Sequence, residues 1–359
     1  MIARALARLG AEQLLAPLVP ATETSKPEAE PNQLDTEASV ALITLCQNNR
    51  LSPILGDAVQ SGRIVLAEDS LPKLFTSIEH FLASQLRVEQ QSMTVVDALM
   101  DAAIDFRVLK GLATGYLDYP NPAMRPIGDL DILIRPSDMP EALAAISLIE
   151  SGSLHALPSD DWRVTHAVPF RVGDIEIDLH HRLLHQAAGH CAARLDLFAD
   201  PDPYKIAGRE VFGLPPWLRL LQASAQNVLG GYQQLSSDLD VSRLAGHIDL
   251  ALKHATQIGL QWVVAEGTRN SMQTLGWGER RDVGASPGWR DRAFERVYGS
   301  GTPSVQAASL LEISVAPMTI RAALARSVVL PGDAYLESRG RSPREQIVRQ
   351  IKRIRPKRR

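Results

Sequence analysis

The tightest constraint on this chain is the stretch Arg125-Pro-Ile-Gly-Asp-Leu-Asp-Ile-Leu-Ile-Arg135. From Asp129 onward it alternates and then turns continuously apolar and β-branched, which reads as a strand. In a strand, residues i and i+2 point to the same side. Asp129 and Asp131 therefore project together, while Leu130 and Ile132 face the other way. Two neighbouring carboxylates repel unless a cation lies between them. A pair of this kind at the start of a strand is the sequence pattern of a magnesium site.

Composition narrows the setting. The chain has 359 residues, 45% hydrophobic and 22% charged, with a net charge of −3. That suffices for two domains, or for one large domain with helical additions. The weak net charge gives no global field toward nucleic acid or membrane. The two cysteines, Cys46 and Cys191, lie far apart. This excludes a disulfide framework and a cysteine zinc knuckle, and fits a cytoplasmic protein. No apolar run approaches the ~20 residues that span a bilayer. Met1–Gly10 reads as a short amphipathic helix without the apolar core of a secretory signal. The basic stretch from Arg341 to Arg359 reads as a solvated tail, with an acidic partner or nucleic acid as the lesser alternative.

Read in order, the chain divides into a flexible N-terminal segment (1–35), a helical region (36–104), a catalytic core (105–200), a C-terminal helical domain (201–335) and the basic tail (336–359). Residues 20–35 are rich in Pro, Thr and Glu and read as a linker. Helical spacing begins at Thr36, and a second short helix is expected over Ser52–Gly62. Pro72–Ala103 reads as one long helix or two, with Leu74, Phe75, Ile78, Phe81, Leu82 and Leu86 as its apolar stripe, continued by Val95, Val96, Leu99 and Met100. Asp105–Lys110 is a strand candidate, followed by a helix over Leu112–Tyr119 and another over Ala142–Ile149. Thr165–Arg171 and Asp174–His180 read as two strands joined by a Val-Gly-Asp turn. In the second, Asp174, Glu176, Asp178 and His180 form an ionisable face. After Leu183 the pattern is mainly helical: Pro215–Leu229, Val241–Gly259, Gln261–Leu275 and Ser304–Ser327, with Trp262 and Trp277 packing between helices. Glu279–Arg292 reads as a loop.

Three motifs now stand in series: Leu109-Lys-Gly111 at a strand-to-helix junction, Gly128-Asp-Leu-Asp-Ile-Leu-Ile134, and Ile177-Asp-Leu-His180. With Arg125, they resemble the bacterial uncharacterised nucleotidyltransferase family, within the polymerase-β-like nucleotidyltransferase superfamily. Ile248-Asp-Leu250 and Trp262 are also similar, and the resemblance covers roughly residues 40–330. It implies an α+β fold: a small mixed β-sheet with flanking helices, plus N-terminal and C-terminal helical regions.

The resemblance also implies chemistry. It makes the chain a transferase that moves a nucleoside monophosphate from an NTP, such as ATP, to an acceptor hydroxyl or phosphate. The acceptor would be a peptide, a protein, a small molecule or an RNA end. Asp129, Asp131 and Asp178 would be the catalytic and metal-binding residues, holding two Mg²⁺ ions. Lys110, Gly111, Arg125 and Gly128 would bind the nucleotide, the lysine as a point charge and the arginine as a fork. The wider superfamily has Gly-Ser or Gly-Gly at the turn, whereas this chain has Gly111-Leu112 and lacks that hydroxyl.

Alternatives remain beside these assignments. Glu176 shares a face with Asp178 and competes as third carboxylate. His180 either hydrogen-bonds a metal-bound carboxylate or caps the strand end, and His166 is a weaker candidate on the neighbouring strand. His181, His185 and His190 invite a zinc site, but HExxH is missing. GxxxxGK[ST] and GxGxxG are also absent, so P-loop and Rossmann readings fail. The rival functional reading is a degenerate nucleotidyltransferase fold that binds a nucleotide or partner without turnover. The catalytic reading requires Asp178 to reach the ion held by Asp129 and Asp131.

Overall fold

Alternation of apolar with polar residues lets a strand bury one face and leave the other for chemistry, and the central sheet of this protein is built that way. The computed structural model describes residues 32–149, 152–153, 165–230, 235–277, 288–300 and 303–329. Residues 1–31, with the expected N-terminal helix and most of the linker, lie outside the described residues. So does the basic tail.

The described chain opens with β1 (Asn32–Gln33), which pairs in parallel with β2 (Ile64–Val65) around α1 (Thr36–Asn48) and α2 (Ser52–Gln60). Asp35 caps α1 by accepting a hydrogen bond from the Ala38 backbone N–H at 2.8 Å, which satisfies one of the unpaired donors of the first turn. One unbroken helix, α3 (Leu71–Asp101), follows. Pro72 sits in its first turn, where a missing N–H is harmless. The expected stripe on α3 is only partly the buried one. Leu74 is buried, but Phe75 and Leu86 are 55% and 67% exposed. In its C-terminal half Val95, Val96 and Leu99 are buried as expected, and the buried face also takes in Gln85, Val88, Ser92 and Met93.

The five-stranded sheet has the order β3-β4-β7-β6-β5, with β3 (Phe106–Val108), β4 (Asp129–Ile134), β5 (Gly152–Ser153), β6 (Ala167–Val172) and β7 (Ile175–His180). Only the β4–β7 pair is parallel. The helix α4 (Lys110–Asp118) connects β3 to β4, and α5 (Met139–Ser147) follows β4. Gly173, at φ 58°, supplies the left-handed residue of the β6–β7 turn. On one face, Leu130, Ile132 and Ile134 of β4 join Val168, Phe170, Val172, Ile175, Ile177 and Leu179 in a core shared with α3 and α5. Burying a residue such as Phe170 contributes about 1.5–3 kcal/mol. Leu133, on the opposite face, belongs to the core of the C-terminal helices.

After α6 (Gln186–Ala192) the chain forms a hairpin of β8 (Asp202–Ile206) and β9 (Arg209–Gly213). The described chain beyond Leu183 is otherwise mainly helical, as expected, and this hairpin is the element the sequence pattern did not show. Ala207 and Gly208 both have positive φ, 48° and 80°, as a two-residue hairpin loop requires. Tyr204, Ile206 and Val211 extend the core of the sheet.

The remaining described residues are helical: α7 (Pro216–Leu229), α8 (Leu235–Arg243), α9 (Ile248–Ile258), α10 (Gln261–Leu275), α11 (Trp289–Tyr298), α12 (Val305–Val315) and α13 (Met318–Val329). The single helix expected over 241–259 is divided by a 3₁₀ turn at Ala245–His247, where Gly246 weakens helix propensity. The end of the expected 279–292 loop is already the start of α11. Pro317 separates α12 from α13, and Ala316 before it is extended at ψ 152°. Trp262 and Trp277 pack at the edge of the C-terminal core. Among the described residues, no helix is long and apolar enough to cross a membrane.

Gly267, inside α10, is a poor helix former at an interior position. A Cβ there would lie 2.7 Å from both Cα and Cβ of Ser224 on α7. Gly267→Ala is therefore expected to destabilise the protein by about 1–3 kcal/mol despite its better helix propensity, measured by urea unfolding.

Candidate active site

The site forms where β4 and β7 run in parallel with Asp131 directly opposite Asp178. A period of two keeps Asp129 and Asp131 on one face of β4, and Glu176, Asp178 and His180 on the same face of β7. Asp131, Asp178 and His180 place ligand atoms within 4.8 Å of one another. Among the described residues this is the cluster of three whose geometry suits a metal ion. Asp178 thus lies beside Asp131 on one face, while Asp129, on that same face, is not one of the three.

Asp131 is the hub. Its Oδ1 accepts from the Lys110 ammonium at 2.5 Å and lies 2.7 Å from His180 Nε2. The imidazole Nδ1 of His180 is buried without a hydrogen-bond partner. Of the two placements expected for His180, the structure shows the one against a carboxylate of the cluster. The His166 ring lies 5.3 Å from the His180 ring, centre to centre. Burial, with the neighbouring His180 and His185, pushes His166 down to about 3.

The electrostatics follow from this crowding. Burial opposes ionisation of Asp131, but Lys110 and His180 outweigh it and hold the carboxyl below its usual range. Asp129 keeps accessible surface, yet partial desolvation and the charge of Asp131 push its carboxyl up to about 6. Asp178 is raised as well, by burial first and then by Asp131. Burial would lower Lys110, but Asp131, Asp129 and Asp178 together raise it.

Glu176 stands opposite Asp129 in register. Its carboxylate is 73% exposed and approaches Arg171 at 3.9 Å, so it stays outside the cluster.

Lys110 begins α4 with a left-handed φ of 46°, an uncommon conformation for a residue with a side chain and one that concentrates at functional sites. Gly111 makes a close approach: a Cβ there would lie 3.0 Å from the Pro126 carbonyl oxygen. Its visible use is to let α4 pack on the segment that leads into β4. The N-terminus of α4 has no side-chain cap, which leaves first-turn N–H groups for an anion.

Arg125 departs from expectation. Its Nε and Nη2 each donate to Asp240 on α8 at 2.7 Å, and its Nη1 donates to the Pro126 carbonyl at 2.6 Å. The residue is 7% exposed. A buried guanidinium committed to a carboxylate is an anchor, so the expected fork onto a phosphate does not fit this geometry. Two further residues fix the same segment, and the sequence reading missed both. Gln85 of α3 donates to the Arg125 carbonyl at 2.7 Å and accepts from the Ile127 N–H at 2.8 Å. Asp240 also accepts from the Tyr119 hydroxyl at 2.9 Å. The available signal was a glutamine within the apolar pattern of a long helix.

His181 Nε2 meets the Thr165 carbonyl oxygen at 2.7 Å, and His190 meets Arg182 at 2.8 Å.

Residues 37–276 match the model of a family described as "Uncharacterised nucleotidyltransferase". Two solved structures are similar in part. The crystal structure of ANT(2")-Ia in complex with adenylyl-2"-tobramycin is 14% identical, with a TM-score of 0.29, over 50% of this chain and 98% of that one. An antigenic nucleotidyltransferase-like protein from Paracoccidioides brasiliensis is 15% identical, with a TM-score of 0.33, over 52% and 88%. No curated protein matches the chain.

Two predictions follow from the charges. Removing Asp240 strands a buried guanidinium, which costs about 3–5 kcal/mol. Asp240→Ala should lose that much in urea unfolding, whereas Arg125→Met/Asp240→Leu should recover most of it. For Asp129, a folded-state value near 6 lies above the ordinary carboxylate value. Its protonated form favours the fold, and that contribution is lost as pH rises from about 4 through 6. In divalent-free buffer, Asp129→Asn should melt about 1–3 °C above the parent at pH 7, with the gap closing toward pH 4. A parent that melts higher at pH 7 would contradict the charge crowding.

Proposed function

Because the chain belongs to the uncharacterised nucleotidyltransferase family, we propose that it transfers a nucleoside monophosphate from an NTP to an acceptor hydroxyl or phosphate. Pyrophosphate is the leaving group. The observation that carries this reading is the side-by-side placing of Asp131 and Asp178 on parallel strands, with Lys110 bonded to the same Asp131 carboxylate.

The residues present suit magnesium. Three carboxylates (Asp129, Asp131, Asp178) against one ammonium (Lys110) leave two negative charges uncompensated, and all the carboxylate donors are hard oxygens. Asp129, Asp131 and Asp178 would hold Mg²⁺, as a pair of ions, which when bound neutralises phosphate charge and acidifies the acceptor hydroxyl.

The chain's own residues do the positioning. The uncapped N-terminus of α4 offers N–H groups to phosphate oxygens. Lys110 and His180 fix the Asp131 carboxylate. The acceptor oxygen attacks the α-phosphorus, and the bond from that phosphorus to the bridging oxygen breaks. The electron pair leaves with pyrophosphate, and a hydroxyl acceptor gives its proton toward Asp178. Alignment and charge placement supply most of the catalysis in such a displacement. The C-terminal helices, whose core includes Leu109 and Leu133, would form a wall of the site and select the acceptor. A peptide, a protein, a small molecule and an RNA end are the classes to test. An NTP donor fits a cytoplasmic setting.

The test is Mg²⁺-dependent pyrophosphate release from each of the four NTPs across these acceptor classes. Asp131→Asn and Asp178→Asn should each lower turnover at least about 10²-fold. Nucleotide binding with equal, negligible release by parent and variants would favour the degenerate, non-catalytic reading instead.

A further inference from the structure

With Arg125 committed to Asp240, the expected phosphate fork needs another source, and a guanidinium next to Gly128 has no partner among the described residues. Arg50 follows α1 and ends that helix in the left-handed region, at φ 60°. Its N–H donates to the Gln47 carbonyl at 3.1 Å, and the Leu51 N–H donates to the Cys46 carbonyl at 2.7 Å. This is the helix-ending position that favours glycine, because a Cβ is strained there. An arginine at such a position needs another reason for its side chain.

The side chain reaches the strand that carries the carboxylates. A Cβ built on Gly128 would lie 2.8 Å from Arg50 Nη1 and 3.9 Å from its Cζ. Gly128 is not in a left-handed conformation, so its backbone does not require glycine. Its missing side chain makes room for the guanidinium, one residue before Asp129. Among the described residues, no hydrogen bond or ion pair engages the Arg50 side chain, and it is exposed. Other arginines named here are bound: Arg125 by Asp240 and Arg171 by Glu176.

We propose that Arg50 is a triphosphate-binding residue: its free guanidinium, seated in the space left by Gly128, forks onto the β- and γ-phosphates of the donor NTP. A guanidinium presents paired N–H groups that match two phosphate oxygens, and it stays charged at every working pH. This role rests on the nucleotidyltransferase reading of the site and adds a residue from the N-terminal helical layer to it. Gly128 contributes by having no side chain.

The test is calorimetric titration of the full-length protein, with Mg²⁺, against ATP, GTP, CTP and UTP, with tripolyphosphate and the matching nucleoside as separate arms. Arg50→Gly is the informative variant, because glycine suits the left-handed position and keeps α1 intact. It should melt at or above the parent temperature, yet bind the preferred NTP and tripolyphosphate at least tenfold more weakly, with nucleoside affinity unchanged. Arg50→Lys should lose less than Arg50→Gly, and Gly128→Ala should weaken NTP binding by displacing the guanidinium. Equal NTP affinity in the parent and Arg50→Gly overturns the Arg50 assignment and leaves the site reading intact. A lower melting temperature for Arg50→Gly makes Arg50 a structural residue and also overturns it. A parent that binds none of the four NTPs overturns both readings.

Discussion

Everything at this site depends on the register between β4 and β7. The strands run parallel with Asp131 opposite Asp178, so two carboxylates nearly fifty residues apart in the chain come to share one face. A slip of β7 by one residue would send Asp178 to the opposite face, against Leu130 and Ile132, and turn the apolar Ile177 and Leu179 out of it. It is those apolar neighbours that prevent the slip, because the same shift would expose them. The hydrophobic pattern on one face of the sheet therefore sets the chemistry on the other.

The register is held by parts of the chain remote from the carboxylates. Gln85 pins both ends of the turn from Arg125 to Ile127, and Asp240 pins Arg125. The first comes from the N-terminal long helix and the second from the C-terminal helices. The strand carrying Asp129 and Asp131 is thus fastened from both sides just before it enters the sheet. A buried ion pair is a poor source of net stability but a strict source of geometry. Here it sets where a charged strand begins, which suits a site that needs its carboxylates fixed before any ligand arrives.

How far the sequence revealed this depends on whether a feature is periodic. Alternation in Asp174–His180 and the Asp129-Leu-Asp131 spacing put both strands and their shared face within reach of reading. The long α3 was also legible, and Leu74, Val95, Val96 and Leu99 of its expected stripe are buried, but the middle of the stripe was misread. Phe75 and Leu86 are apolar but exposed, while Gln85 is polar and buried, because a specific backbone loop needs its amide. The β8–β9 hairpin was missed because its turn is Ala207-Gly208 rather than an Asn-Gly or Asp-Gly pair. The partner of Arg125 was illegible in principle: nothing local in Asp240 distinguishes it from other helical aspartates. Pairing across more than a hundred residues appears only once the chain has folded.

The charges show why a fold would tolerate such a site. Asp129 and Asp178 are both pushed toward the protonated form, so in the absence of a cation the strand pair works against its own ionisation. Lys110 relieves one carboxylate, at the expense of a left-handed backbone at the first residue of α4. A second side chain near the strand, Arg50, also stands in a left-handed conformation. Both positions carry cations at this end of the strand, Lys110 bonded to Asp131 and Arg50 beside Gly128. They make physical sense when the site is completed by something that is itself highly charged and that binds cation and anion together. A metal-bound polyphosphate, the ligand proposed above, would have that character: its metal would satisfy the aspartates, and its oxygens the lysine, the arginine and the open end of α4.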